Sequence, residues 1–256
     1  MPVGVAPLLL GFRPIAPPLH AAAENTKERT GVFRVVIKFF NNPEKLENLI
    51  RLLMQGVGVT GKIFFLTLIF SVPLGLIVAL GRRSKRWYIN KPISFYIYIM
   101  RSTPLMLQLI FIYYLMPKIL PFKLDRFVTV IFSYVINYAA YFAEIFRGGI
   151  EAVPVGQREA AHVLGMNRFQ TFWRIIMPQA AKHSLLPCTN EIITLVKDPA
   201  LASCVAVVDL MTMAKKQVTS SSSVEPYLVA IIFYLILNGI VEQVCKWVER
   251  RMNYYR

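Results

Sequence analysis

Hydrophobic residues along this chain fall in long runs that are separated by short charged segments. Five runs predict membrane-crossing helices, because about twenty residues at ~1.5 Å per residue cross ~30 Å of hydrocarbon. They cover residues 63–81, 92–117, 127–143, 180–196 and 226–241. The fourth run contains Lys182 and Glu191, so hydropathy alone supports only the other four. The pattern predicts an all-α integral membrane protein with about five transmembrane helices.

Composition and charge agree with a membrane location. The chain is 55% hydrophobic, with a formal net charge of +15, and its mean hydropathy is +0.49. In the segments that follow the first of the five spans, fourteen Lys and Arg residues fall on one side and six on the other. Basic residues concentrate on the cytoplasmic side, so we expect the N-terminus outside and the C-terminus inside. The positive charge therefore faces anionic lipid and predicts no nucleic-acid binding.

The first 54 residues differ from the rest. Residues 1–23 are rich in Pro and Ala, which favours a disordered tail, although Ala21-Ala22-Ala23 leaves a cleaved signal peptide open. Residues 33–40 and 46–53 each carry apolar side chains at i, i+3, i+4 and i+7, which predicts two interfacial helices. We therefore divide the chain into an extracytoplasmic N-terminal region, 1–54, and a transmembrane domain, 55–256.

A charged insert separates the third and fourth runs. Ala160, Val163 and Leu164 share one helical face and Arg158 and His162 another, so we expect a short amphipathic helix. Gly165 should end it, because glycine adopts the left-handed conformation without a Cβ penalty. A second amphipathic helix should follow, with Pro178 disrupting its next turn. Its apolar face is formed by Phe169, Phe172, Trp173 and Ile176.

The spacing within this insert is similar to a known family pattern. Glu159-Ala160-Ala161, three residues, Gly165, nine residues and Ile175-Ile176-Met177-Pro178 resemble the EAA loop of ATP-binding-cassette (ABC) importer permeases. Met177 stands where that family has Leu, a swap of similar volume. The resemblance implies a cytoplasmic coupling helix that inserts into an ATPase subunit; the alternative is an ordinary helical hairpin. The coupling residues it predicts are Gln157, Glu159, Ala160, Ala161, Leu164 and Gly165.

A second constellation lies inside the second hydrophobic run. Arg101 is costly within a membrane and Pro104 breaks the helix, so both point to a functional site beside a cavity. The sequence from Arg101 to Leu109 resembles the polar amino acid uptake branch of these permeases, as do residues 143–150 and 154–157, Pro178-Gln179-Ala180 and Asn190-Glu191. The branch implies a substrate pathway through Arg101, Thr103, Gln108, Asn190, Glu191 and Asp198. The alternative for its charged members is an interhelical ion pair or a helix-end charge.

One block departs from the branch. Lys197-Asp198-Pro199-Ala200-Leu201 stands where the branch usually has Lys-Asp-Thr-Ser-Leu. Two hydroxyl groups are lost and a rigid proline is gained, which affects any substrate hydrogen bond or helix-end geometry assigned there.

Other candidate chemistry is weak. Residues 56–63 nearly satisfy a phosphate-binding loop, but no strand precedes them and Ile63 replaces the Ser or Thr that would bind magnesium. We read them as a small-residue start to the first transmembrane helix. The three cysteines and three histidines have no metal-ligand spacing. We therefore expect no catalytic residue, metal or cofactor on this chain, with ATP and Mg²⁺ on a partner ATPase.

Together, the residues and the resemblance predict a permease subunit of the small type I ABC importer fold in a bacterial inner membrane. The resemblance also supports the fourth span. It implies ATPase subunits, a second permease subunit and an extracytoplasmic amino acid binding protein as partners. A secondary transporter or channel working without ATP is the alternative, and a membrane-embedded hydrolase is third because no Ser, His and carboxylate set gathers. The choice between homodimer and heterodimer stays open.

Overall fold

A computed structural model describes residues 43–119 and 125–252, which contain helices and no strand. The chain divides into two units, 1–47 and 48–256. The helices are α1 (Pro43–Arg82), α2 (Trp87–Ser102), α3 (Leu105–Ile119), α4 (Arg126–Glu151), α5 (Val155–Val163), α6 (168–195), α7 (Leu210–Ser221) and α8 (Glu225–Met252), with a 3-10 helix at Asp198–Val205. The prediction of an all-α chain is confirmed.

Three helices in the described residues are long and apolar enough to cross a membrane: α1, α4 and α8. The second predicted span, 92–117, is interrupted. It consists of α2 and α3, which are bent by 109° at the Ser102–Pro104 break and form a fourth span if the pair counts as one. The fourth predicted span, 180–196, coincides with the α-helical part of α6 but is too polar to pass the same test. The fourth predicted span is therefore a helix in the structure, and it is the most polar of the five by hydropathy as well.

The first helix is longer than predicted. It is continuous for 40 residues, so segment 46–53 forms its early turns instead of a separate interfacial helix. The predicted tail and the helix at 33–40 lie outside the described residues. Residues 56–63 are helical but lie inside α1, not at its start as predicted, and they leave no phosphate-binding loop. A side chain at Gly56 would lie 2.7 Å from the Leu210 Cα, so this glycine permits close packing of α1 against the start of α7.

Helix α4 forms the centre of the core. Its Tyr134, Tyr138 and Phe142 are buried among residues of α1, α3 and the segment after α6. Close approach depends on two glycines: a Cβ at Gly75 would lie 2.7 Å from the Phe142 Cβ, and one at Gly149 would collide with the Ser184 Oγ. Small residues are how membrane helices bring their backbones together. The core thus fixes α6 against α4.

Helix α6 continues where the sequence predicted a disruption. Arg168–Thr171 forms its first turn, Phe172–Ile176 is π-helical and Met177–Leu195 is α-helical. Pro178 removes one backbone donor, and the wider π turn lies directly before it, as is usual where the regular hydrogen-bond ladder is interrupted. The disruption predicted at Pro178 takes the form of a π turn, and α6 runs unbroken from the charged insert into the membrane domain.

Candidate functional site: the coupling insert and the Arg101 cleft

The end of α5 is closed by glycine as the sequence predicted. Gly165 has φ +73°, its N–H donates to the His162 carbonyl at 3.0 Å, and the Met166 N–H donates to the Ala161 carbonyl at 3.0 Å. These two bonds form a Schellman motif, which satisfies the last carbonyls of the helix. Asn167 and Gln170 then cap the start of α6 reciprocally. The insert is therefore a tightly turned helical hairpin.

The outer face of this hairpin is apolar and exposed. Val163 and Leu164 are 86% and 78% exposed, and Phe169 on the start of α6 is 72% exposed. Ala160 is also exposed, and its i, i+3, i+4 spacing with Val163 and Leu164 puts the three on one face of the helix. Large apolar side chains gathered on an insert outside the spans indicate a protein contact surface.

The six predicted coupling residues all lie on this hairpin, but not all on its outer face. Glu159, Ala160, Leu164 and Gly165 are exposed. Ala161 is 2% exposed and faces the protein. Gln157 accepts a hydrogen bond from Gln179 of α6 at 3.3 Å. Gln157 is exposed as well, so five of the six residues are accessible to a partner and only Ala161 is buried.

The bend between α2 and α3 is held by side-chain amides. Gln108 Nε2 donates to the Met100 carbonyl at 3.0 Å and to the Thr103 Oγ1 at 2.8 Å. Asn137 Nδ2 of α4 donates to the same Met100 carbonyl at 3.1 Å and to the Gln108 Oε1 at 2.9 Å. Pro104 favours extended backbone at Thr103 and has no N–H to donate to the Met100 carbonyl, which is left free for the two amides. Thr103 and Gln108, both predicted in the substrate pathway, therefore also stabilise the break.

Arg101 and Glu191, which the sequence assigned to one pathway, line the same cleft. Its volume is about 500 Å³, and it also contains Tyr141, Glu144 and His183. The Arg101 guanidinium carbon lies 5.4 Å from the centroid of the Tyr141 ring, a cation–π contact. Glu144 is paired with Arg147 at 2.7 Å, whereas the described residues offer the Glu191 carboxylate no ion pair within 4.0 Å. The cleft thus presents a guanidinium and a carboxylate.

Asn190 and Asp198 are not among the residues that line this cleft. Asn190 is exposed at the position before Glu191. Asp198 Oδ2 accepts a hydrogen bond from the Tyr138 hydroxyl at 2.6 Å, and the Asp198 carbonyl accepts one from the Tyr134 hydroxyl at 2.7 Å. Pro199 is buried and occupies the first turn of the 3-10 helix, a position where its missing N–H costs nothing. The departure from the branch pattern is therefore compatible with this local geometry.

Sequence reasoning missed the polar face of α4. Asn137, Tyr141 and Glu144 are spaced i, i+4 and i+7, so they form one stripe on an otherwise apolar helix, and that periodicity could have revealed them. His183 on α6 gave no such signal. Across 43–119 and 125–252, no group of three or more His, Cys, Asp and Glu residues could hold a metal ion.

Comparisons with known proteins agree with this architecture. Residues 71–254 match the family described as "Binding-protein-dependent transport system inner membrane component". The octopine transport system permease protein OccM of Rhizobium radiobacter is 39% identical over 204 residues, covering 72% of this chain and 83% of that protein. The L-cystine transport system permease protein TcyB of Bacillus subtilis (strain 168) is 36% identical over 208 residues, covering 80% and 88%.

Solved structures show the same fold. A crystal structure of an amino acid ABC transporter with histidines superposes with a TM-score of 0.74 at 32% identity, covering 81% of this chain and 97% of that chain. An inward-facing structure of the MetNI methionine ABC transporter superposes with a TM-score of 0.67 at 18% identity, covering 81% and 99%, which supports the fold alone. The chain therefore belongs to the binding-protein-dependent transport system inner membrane components, the permease subunits of ABC importers, which are not themselves ATPases.

Proposed function

We propose that this chain is a permease subunit of an ABC importer that carries polar amino acids delivered by an extracytoplasmic binding protein. The relatives named above transport octopine and L-cystine, both amino acid derivatives with charged groups. Two ATPase subunits, which hold ATP and Mg²⁺, dock on the inner side, and a second permease subunit, identical or homologous, completes the channel. The N-terminus lies outside and the C-terminus inside.

The exposed face of α5 is the observation that carries this proposal. An importer without ATP would leave an apolar hairpin in water with no partner to cover it. Ala160 adds to this face because its small side chain allows close approach of a partner, while Val163 and Leu164 supply the apolar area. Burying one such side chain contributes about 1.5–3 kcal/mol. The rival of a secondary transporter or channel gives the hairpin no role.

The Arg101 cleft supports an amino acid as cargo. A zwitterion carries one carboxylate and one ammonium group, and the cleft offers Arg101 to the first and Glu191 to the second. A guanidinium binds a carboxylate through two parallel hydrogen bonds, which gives orientation as well as affinity. The Tyr141 ring holds the guanidinium from one side. Selectivity among amino acids then depends largely on the external binding protein.

Helix α6 offers a mechanical link between the two sites. It begins at Arg168 beside the coupling hairpin and carries Glu191 about 23 residues, or roughly 35 Å, along the same helix. A shift of the hairpin on ATP binding would therefore move Glu191 relative to Arg101, which lies on α2. We infer that rocking of α6 changes access to the cleft between outward and inward states.

Leu164→Glu tests the docking role directly. A carboxylate on the apolar face should weaken ATPase association by about tenfold or more, since each ~1.4 kcal/mol is tenfold in affinity. The measurement is ATPase copurification with the permease, together with ATP-dependent uptake in proteoliposomes. Val224→Glu is the control, because Val224 is also exposed but lies before α8, on the opposite side in the proposed topology. Normal ATPase retention and uptake in Leu164→Glu would refute the docking role.

A further inference from the structure

A second cleft lies behind the coupling hairpin, on the face opposite Leu164. Its volume is about 520 Å³, and we call it the basic cleft after Arg83, Arg158, His162 and Arg168, which line it. Arg83 follows the last residue of α1, Arg158 and His162 belong to α5, and Arg168 begins α6. Arg158 Nη2 donates to the Ile150 carbonyl at 3.4 Å near the end of α4. Three elements thus bring basic side chains together, and α4 holds one of them through a backbone carbonyl.

The charges in the basic cleft are not balanced from within. Burial lowers the pKa of Arg83, and the positive charge of Arg158 lowers it further, while Glu151 opposes the shift. Glu151 is already bound by Arg147 at 2.6 Å. Like charges held together in a partly buried site repel one another, and a bound anion would relieve that repulsion.

Position and shape indicate which anion fits. The cleft lies where α1 and α4 end, which is the level of lipid headgroups if both helices cross the membrane. Its remaining lining includes the apolar residues Met166, Phe172 and Ile176. A free phosphate makes no favourable contact with apolar side chains, whereas a lipid would place its glycerol and first methylene groups against them. The exposed docking face points elsewhere, so a partner on Leu164 would not fill the cleft.

We propose that the basic cleft binds the headgroup phosphate of an anionic phospholipid from the inner leaflet. Arg158 and Arg168 contact the phosphate from the two arms of the hairpin, and Arg83 holds it at the end of α1. Basic pockets at the cytoplasmic ends of membrane helices bind such headgroups. The bound lipid ties the coupling hairpin to the membrane surface, so the lipid composition acts on the element that the ATPase contacts.

Lipid retention tests this site without relying on transport. The full chain in detergent is mixed with phosphatidylglycerol or phosphatidylcholine of identical acyl chains, and native mass spectrometry counts the lipids retained. We expect wild-type protein to retain phosphatidylglycerol preferentially, and the double variant Arg158→Gln with Arg168→Gln to need about tenfold more of it. Arg86→Gln is the matched control, because Arg86 is exposed and outside the basic cleft. It should retain phosphatidylglycerol like wild type.

Four outcomes would overturn the proposal. If Arg86→Gln weakens phosphatidylglycerol retention as much as the double variant does, retention reflects the general positive charge of the surface. If millimolar inorganic phosphate displaces phosphatidylglycerol, the basic cleft is a site for free phosphate. Displacement on adding the ATPase subunit would mean that an acidic group of the partner occupies the basic cleft. If the double variant cannot be purified, the single variants replace it, each expected to weaken retention about threefold. Wild-type retention in both singles also overturns the proposal.

Discussion

At the scale of single residues, the chemistry of the Arg101 cleft depends on which groups are left without internal partners. Glu144 is held by Arg147 and lies 3.8 Å from Arg82, so its charge is neutralised inside the protein. Arg101 instead faces the Tyr141 ring. A ring balances a guanidinium only weakly and cannot replace a carboxylate. Arg101 therefore keeps hydrogen-bond donors for a ligand.

The first residue-scale prediction concerns Arg101 and Glu191. Arg101→Gln should lower uptake of the carried amino acid about tenfold or more, because the loss of one charge-assisted contact costs ~1.5–3 kcal/mol. Arg101→Lys keeps the positive charge and should retain more uptake than Arg101→Gln. Uptake in proteoliposomes and thermal unfolding in detergent are measured on each variant. A stable Arg101→Gln protein with wild-type uptake would remove Arg101 from the substrate pathway.

The same variants separate binding from a purely structural ion pair. If Arg101 and Glu191 only stabilise each other, Arg101→Gln should lower the unfolding temperature and Arg101→Gln with Glu191→Gln should restore it. If they bind the zwitterion, the double variant should stay inactive while remaining folded. Recovery of both stability and uptake in the double variant would contradict the pathway role.

At the scale of helices, the sequence predicted where helices turn or end better than it predicted how far α1 and α6 continue. The end of α5 at Gly165 and the break at Pro104 follow from local chemistry, since each requires one residue type at one position. The path of α6 past Pro178 includes a π turn, and α1 continues through Gly56, which packs closely against the start of α7. Neither leaves a periodic signal. Likewise, the Gln108–Asn137 contact joins residues 29 apart, which spacing alone does not reveal.

The packing of α4 against α6 gives an element-scale prediction with a matched control. Gly149→Ala should destabilise the protein by about 1–3 kcal/mol, because its new methyl group would collide with Ser184 Oγ and the Ala180 carbonyl. Gly148→Ala makes the same change one residue earlier, where nothing lies within 4 Å of the new atom. It should leave stability unchanged or raise it by ~0.5–1 kcal/mol through helix propensity. Thermal unfolding in detergent measures both, and equal midpoints would contradict the close-packing role.

At the scale of the whole molecule, the helices alternate in direction only if the bent pair crosses once. Helix α1 ends at Arg82 and α4 ends at Glu151, and both ends adjoin basic residues that we place inside. For α4 to begin outside, α2 and α3 must return the chain across the membrane despite their 109° bend. Helix α6 then leads outward and α8 back inward. In the proposed topology, five crossings place α5 inside and α7 outside.

Cysteine labelling tests that topology. In a background lacking Cys188, Cys204 and Cys245, a cysteine at Ser84, between α1 and α2, should react with an impermeant thiol reagent only after the membrane is opened. A cysteine at Ser221, which is exposed at the end of α7, should react in intact cells or right-side-out vesicles. The expectation follows from the segments after the first span, where fourteen basic residues lie on the inner side and six on the outer side. Both cysteines must react in opened membranes, which controls for accessibility. If only the cysteine at position 84 reacts in intact membranes, the topology is the opposite of the one proposed. Helix α5 would then be out of reach of a cytoplasmic ATPase, and its coupling role would be refuted as well.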